Sequence, residues 1–164
     1  MTASLPDANA LIESLAAAIS PAFDPDTLIV GIHTGGVWVA ERLHALLRAR
    51  LPVGQLDISF YRDDFSRIGL HPQVKPSSLP VDLEGCAILL VDDVLYTGRT
   101  IRAAMNELFD YGRPALIRLA VLIDRGSREL PIRPDYAGAA LDVPAHQNIH
   151  LSRLDDGHLT LTIA

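Results

Sequence analysis

Residues 88–100 read Ile-Leu-Leu-Val-Asp-Asp-Val-Leu-Tyr-Thr-Gly-Arg-Thr. Ala87 to Val91 is a continuous apolar run, the pattern of a strand buried on both faces of a parallel sheet. Two carboxylates, Asp92 and Asp93, stand where such a strand is expected to end. Tyr96-Thr97-Gly98-Arg99-Thr100 follows as a small polar turn, and from Ile101 onward Ile101, Ala104, Met105, Leu108 and Phe109 recur at helical spacing. A turn that ends in a helix N-terminus offers backbone N–H groups and the positive end of the helix dipole to a phosphate. Thr97 and Thr100 add hydroxyl donors. Carboxylates beside such a seat would repel phosphate unless they hold sugar hydroxyls, a Mg²⁺ ion, or both. The stretch therefore describes a site for a phosphorylated sugar with a metal.

Working outward, the chain alternates strands and helices. Pro6-Asp7 to Ile19 carries Leu11, Ile12, Leu15, Ala18 and Ile19 on one helical face, and Ser20-Pro21 ends it. Leu28 to Ile32 is a second short buried strand, followed by the turn His33-Thr34-Gly35-Gly36 and a helix from Val37 to Arg48. Gln55 to Tyr61 alternates as a strand. Residues 62–80 hold three prolines with no periodicity and predict a lid loop. Ala115 to Ile123 is a further apolar strand, leading into Asp124-Arg125-Gly126-Ser127-Arg128. His150 to Leu154 and His158 to Ile163 predict a hairpin turned at Asp155-Asp156-Gly157. The expectation is one α/β domain over 1–164, a mostly parallel sheet with helices on both faces and a small hood at about 124–164. Ligands of such sheets sit outside the carboxyl ends of the strands. The loops 33–36, 92–100 and 124–128 leave those ends and are expected to converge.

Composition narrows the class. The 164 residues carry a net charge of −6, which argues against bulk nucleic-acid binding. Cys86 is the single cysteine, so neither a disulfide framework nor a thiolate metal site is available, and a reducing cytoplasmic setting is expected. Apolar runs fall short of the roughly 20 residues of a membrane helix, and the N-terminus lacks the basic region of a secretory signal. Thirteen of the fourteen cations are arginine, which suits forked contact with phosphate or follows from genome composition.

Rival readings weaken on single residues. Receiver domains of two-component signalling also place an acidic pair after an apolar strand, but they need a later lysine, and Lys75, the only lysine here, precedes the pair. No Walker A pattern or Gly-x-Gly-x-x-Gly cradle is present. The six histidines show no His-Glu-x-x-His spacing, and Cys86 reads as packing before a buried strand.

The same residues carry a resemblance. Residues 88–100 closely resemble the phosphoribosyl-pyrophosphate (PRPP) motif of the type I phosphoribosyltransferases. Their spelling is similar to the PyrR branch, whose members combine uracil phosphoribosyltransferase activity with regulation of the pyrimidine operon. Tyr61-Arg62-Asp63-Asp64 resembles the family's Tyr-Arg-Asp-Asp at the head of the lid, and Leu119 to Tyr136 resembles the segment leading into the uracil-binding hood. The likeness extends from about Leu28 to Tyr136.

It implies the type I phosphoribosyltransferase fold and transfer of ribose 5-phosphate from PRPP to uracil, giving UMP and pyrophosphate, with Mg²⁺ accompanying PRPP. By the same resemblance Asp92, Asp93 and Arg62 are catalytic. Thr34, Gly35, Asp92, Asp93, Val94, Leu95, Tyr96, Thr97, Gly98, Arg99 and Thr100 bind PRPP. Arg125 and Ile149 bind the base, and Asp92 and Asp93 hold Mg²⁺ directly or indirectly. A homo-oligomer, a dimer or larger, is also implied.

Two departures from the pattern stand out. Related sequences carry Lys-Thr-Arg-Gly in the pyrophosphate loop where this chain has His33-Thr34-Gly35-Gly36, so two cations are missing beside the leaving group. The run Glu13-Ser14-Leu15-Ala16-Ala17-Ala18 replaces a basic run on the first helix of members that bind pyrimidine leader RNA in response to UMP or UTP. Because RNA binding rests on Lys/Arg contacts to phosphate, the second departure opposes that role. Arg113, Arg118, Arg128 and Arg133 remain as a candidate basic surface. The alternatives are an RNA-binding pyrimidine regulator with little catalysis, or a type I transferase for another base such as hypoxanthine or orotate.

Overall fold

The computed structural model describes residues 4–58 and 77–164. Its centre is a five-stranded sheet in the order β2-β1-β3-β4-β5, comprising β1 (Leu28–Ile32), β2 (Gly54–Leu56), β3 (Ala87–Leu95), β4 (Leu116–Asp124) and β5 (Tyr136–Ala140). All four neighbouring pairs run parallel. An antiparallel bridge between Gln55 and Ser78 adds to the β2 edge. A separate antiparallel pair, β6 (Ile149–Arg153) and β7 (Leu159–Ile163), forms the expected hairpin.

The sheet is buried on both sides because its inner strands alternate between two cores. Leu28, Val30, Ile32, Ile88, Leu90, Leu119 and Val121 face helix α3 (Arg99–Tyr111), which supplies Ile101, Ala104 and Leu108. Ile29, Leu89, Val91, Ala120 and Leu122 face α1 (Ala8–Ile19) and α2 (Gly35–Leu47), with Leu151 and Leu159 of the hairpin closing that side. A run with no polar residues is the sequence signature of this two-sided burial. Asp7 caps α1 by accepting a hydrogen bond from the Ala10 N–H at 2.9 Å. Gly31 lets α2 lie directly on β1, since a Cβ at this position would stand 2.6 Å from the Val37 Cα.

Three expectations are corrected. The strand expected to end at Val91 continues to Leu95, because its ladder to β4 runs on through Asp92–Val121, Val94–Ile123 and Leu95–Asp124. The acidic pair is thus mounted within the strand. Helix α2 begins at Gly35 rather than Val37, with Thr34 at its cap, so the two glycines form its first turn. Strand β5 was not anticipated: Tyr-Ala-Gly-Ala-Ala lacks the β-branched residues that announce a strand, and small residues suit an edge covered closely by α1. In the expected strand 55–61, β2 covers Gly54–Leu56, and 59–61 lie outside the described residues, as do 62–76 of the expected lid.

Candidate active site

The turn between β3 and α3 is built by hydrogen bonds. Gly98 takes a positive φ of 95°, and a Cβ there would stand 2.9 Å from the Ile132 Cγ1, so both conformation and space require glycine. The Thr97 hydroxyl oxygen accepts from the Arg99 N–H at 3.2 Å, and the Thr97 carbonyl accepts from the Glu129 and Leu130 N–H groups at 2.9 and 3.1 Å. The Leu95 carbonyl accepts from the Arg125 N–H at 3.0 Å. Arg128 completes the seam, donating to the carbonyls of Tyr96 at 3.0 Å and Ile132 at 2.9 Å and to the Asp124 carboxylate at 2.7 Å. That hydrogen bond from Arg128 holds the Asp124 carboxyl below its ordinary range, against the opposing effect of burial. An exposed ion pair joins Arg99 to Glu129 at 2.9 Å. Within this frame lies a recess of about 110 Å³ lined by Asp92, Val94, Leu95, Tyr96, Thr97, Gly98, Thr100 and Ile101. A helix N-terminus of this kind leaves its first-turn N–H groups without intrahelical partners, ready for an anion.

The turn 33–36 is built differently, by the absence of side chains. A Cβ on Gly36 would meet the Val91 carbonyl oxygen at 2.7 Å and the Asp92 Oδ1 at 3.2 Å. A Cβ on Gly35 would overlap the Asp93 carboxylate, with the Asp93 Cγ 2.8 Å away. Each glycine therefore rests on one of the two aspartates. Asp92 is 6% exposed; its Oδ1 accepts from the Asp93 N–H at 2.9 Å, and the Asp93 Oδ1 accepts from the Val94 N–H at 2.8 Å. His33, joined to Thr34 by a cis peptide bond, turns toward β2, where its Nε2 pairs with the Gln55 Oε1 at 2.9 Å.

Among the described residues no cluster of three or more His, Cys, Asp or Glu side chains is placed to hold a metal ion. Two carboxylates alone match the way Mg²⁺ is usually bound, by one or two protein oxygens with substrate phosphates and water supplying the rest.

At the far side of the 95–100 turn, Arg125 is 4% exposed and lies over the Tyr96 ring, 4.0 Å from its centroid. Its guanidinium donates to the Gln147 carbonyl at 3.0 Å and to those of Val143 and Pro144 at 3.4 Å. Beside it, a recess of about 370 Å³ is lined by Asp124, Arg125, Gly126, Ser127, Ala140, Leu141 and Asp142. Ile149, the first residue of β6, is buried in the core.

Residues 33–36, 92–100 and 124–128 thus adjoin at the carboxyl end of the sheet. Arg62 lies outside the described residues. The sequence reading did not single out Gly36, Asp124, Glu129 or the internal bonding of Arg128. Only the Gly-Gly doublet carried a signal, as a place where backbone is approached closely.

Comparison with known proteins gives the family and the fold. The phosphoribosyl transferase domain family matches residues 3–150. "Bifunctional protein PyrR" of Pseudomonas fluorescens is 53% identical over 153 residues, covering 91% of each chain. The protein of the same name from Pseudomonas entomophila is 61% identical over 123 residues, 75% of this chain and 72% of the relative. Among solved structures, hypoxanthine phosphoribosyltransferase of Staphylococcus aureus superposes with a TM-score of 0.65 at 21% identity, over 85% of this chain and 75% of that one. A purine phosphoribosyltransferase from Pyrococcus horikoshii gives 0.63 at 26% identity, over 82% and 83%. These two show the shared fold. With a family model and close relatives both spanning most of its length, the chain belongs to the phosphoribosyl transferase domain family, in its PyrR branch.

Proposed function

We infer that this protein transfers ribose 5-phosphate from PRPP to uracil, giving UMP and pyrophosphate. The observation that carries the reading is the apposition of a phosphate-sized recess at the N-terminus of α3 to the Asp92–Asp93 pair, with the Gly35-Gly36 turn on the other side of that pair. In this reading the 5′-phosphate sits in the 96–100 turn, held by backbone N–H groups, Thr97 and Thr100. Asp92 and Asp93 face the ribose hydroxyls, and their negative charge favours the positive charge that develops at the anomeric carbon. The C–O bond to pyrophosphate breaks as the bond to the uracil nitrogen forms, and the base releases its N–H proton to solvent. Mg²⁺, held at Asp92 and Asp93 directly or through water, would offset charge on the departing pyrophosphate. The amides of the 33–36 turn and Thr34 line the leaving-group side, and Arg125 with Ile149 shapes the base end. Support for uracil comes from the likeness of residues 119–136 to the uracil hood and from the resemblance to the PyrR branch. A cytoplasmic homo-oligomer accords with the lone cysteine and with the family.

The test mixes the protein with PRPP, Mg²⁺ and each base in turn. UMP from uracil is expected; nucleotide formed only from another base, or from none, overturns the reading.

The resemblance to the PyrR branch, whose relatives are named bifunctional, also favours a second role, binding of pyrimidine leader RNA when UMP or UTP is present. Two observations count against it. Helix α1 carries no cation, and Arg128 of the candidate basic surface is engaged with Asp124 and two carbonyls. Exposed Arg113, Arg118 and Arg133 remain available. Titration with leader RNA at low salt, with and without UMP, decides this role.

A further inference from the structure

The missing cation at position 35 looks, from sequence, like a loss. The geometry gives the glycine a task. The Asp93 carboxylate lies over the Gly35 Cα, in the volume that any side chain at position 35 would enter: a Cβ would overlap Oδ2 and stand 2.8 Å from Cγ and 3.1 Å from Cβ of Asp93. Neighbouring Gly36 is pressed just as closely against backbone, with the Val91 carbonyl oxygen 2.7 Å and the Asp92 Cα 3.1 Å from its would-be Cβ. The two contacts differ in what can give way. At Gly36 the obstacle is the main chain of the central strand. At Gly35 it is the free end of a side chain, which can rotate. Among the described residues the Asp93 carboxylate takes one hydrogen bond, Oδ1 accepting from the Val94 N–H at 2.8 Å, and its Oδ2 lies against Gly35.

We propose that Gly35 is a positioning residue for Asp93: its lack of a side chain keeps the Asp93 carboxylate turned onto the 33–36 turn, where it presents Oδ2 to a divalent cation and pyrophosphate. In this chain the charge that offsets the leaving group is then held from the β3 side by a carboxylate-bound cation rather than supplied by a cationic side chain of the turn. This rests on the reading of Asp93 as part of a PRPP site and adds the residue that orients it. Filling position 35 swings the carboxylate away while leaving the fold in place.

The experiment is a double-mutant cycle on Gly35→Ala and Asp93→Ala in the full chain, read in three ways. The first is kcat/KM for PRPP. Gly35→Ala is expected to lower it about tenfold or more, less than the roughly 100- to 1000-fold cost of deleting a preorganised group outright, and Asp93→Ala lowers it further. The doubly substituted protein should match Asp93→Ala, because the displaced group is already gone. The second reading is affinity for Mn²⁺ in the presence of PRPP, followed by the spectrum of free Mn²⁺. It should weaken in Gly35→Ala and be equal in Asp93→Ala with or without the second change. The third is the melting temperature, which requires no turnover: Gly35→Ala should cost more when Asp93 is present than when it is Ala. Losses that multiply across the cycle, or a Gly35→Ala protein that binds Mn²⁺ and PRPP like the parent, overturn the proposal. If the parent forms no nucleotide from any base, the functional reading falls, while the melting cycle still upholds or overturns the Gly35–Asp93 contact.

Discussion

Two turns at the same end of the sheet are made by opposite means. The turn at 95–100 is fixed by what it bonds to: three backbone hydrogen bonds and the Arg128 guanidinium tie it to residues 124–132, and the Thr97 hydroxyl braces it from within. The turn at 33–36 is fixed by what it lacks, two bare glycines lying against two aspartates. A seat that must present N–H groups at fixed points benefits from a network that over-determines it. A turn that must bring backbone up to carboxylates needs only the removal of bulk. The two turns should therefore fail differently, one gradually as bonds are removed and the other abruptly as atoms are added.

The largest expected effect breaks neither turn but the pair between them. Asp93→Asn keeps the shape and removes the charge, and turnover should fall by about 100-fold or more with the melting temperature little changed; steady-state kinetics beside a thermal melt checks both halves. Next comes glycine in the bonded turn. Gly98→Ala forces an L residue to a φ of 95° and into Ile132, so about 2 kcal/mol or more of stability should go, together with affinity for PRPP. Denaturant unfolding measures it, and a wild-type midpoint would show that the seam can yield.

Removing the seam's arginine is milder. Arg128→Ala deletes three bonds and should cost about 1–3 kcal/mol. It also carries a pH signature. The folded Asp124 carboxyl is held low by Arg128, so its contribution is present above the unfolded carboxyl range and disappears as pH falls through the folded value. Without Arg128 the acid limb of the stability curve should flatten at this site, readable from unfolding at pH 7 and at pH 3.

A contact remote from both turns serves as a reference. Glu107 on α3 meets the Ser77 hydroxyl, and its carboxyl is raised chiefly by burial. A raised carboxyl costs stability as pH rises through its folded value, so Glu107→Gln should stabilise at neutral pH, with the gain fading below the ordinary carboxyl range. The smallest effect belongs to the exposed Arg99–Glu129 pair. Arg99→Ala should cost under about 1 kcal/mol, screened further by salt.

The same contrast explains what could be read in the sequence. Strand β1 was legible to the residue, and β3, β4 and the hairpin to within a few, because two-sided burial writes an unbroken apolar run and a β-turn writes Asp-Asp-Gly. The bonded turn was legible too, since Thr, Gly and the onset of helical spacing all fall inside thirteen residues. Three things left no trace. Strand β5 is made of small residues that fit under α1 and resemble a loop. The partners of Arg128 are set by where β4 delivers residues 124–132, which no local pattern encodes. The role of Gly35 depends on a carboxylate 58 positions away along the chain, and the sequence alone suggested only a cation gone missing.

The continuation of β3 through Asp92 to Leu95 bears on how the protein breathes. Those residues lie in the middle strand of five, laddered to β4 through Asp92–Val121 and Val94–Ile123. Amides there should exchange with solvent only through the rarest, most global openings, while those of the edge strands β2 and β5 exchange through smaller ones. The carboxylate pair is thus mounted on the central strand, and heat should not dissolve the acidic pair's geometry before it dissolves the sheet.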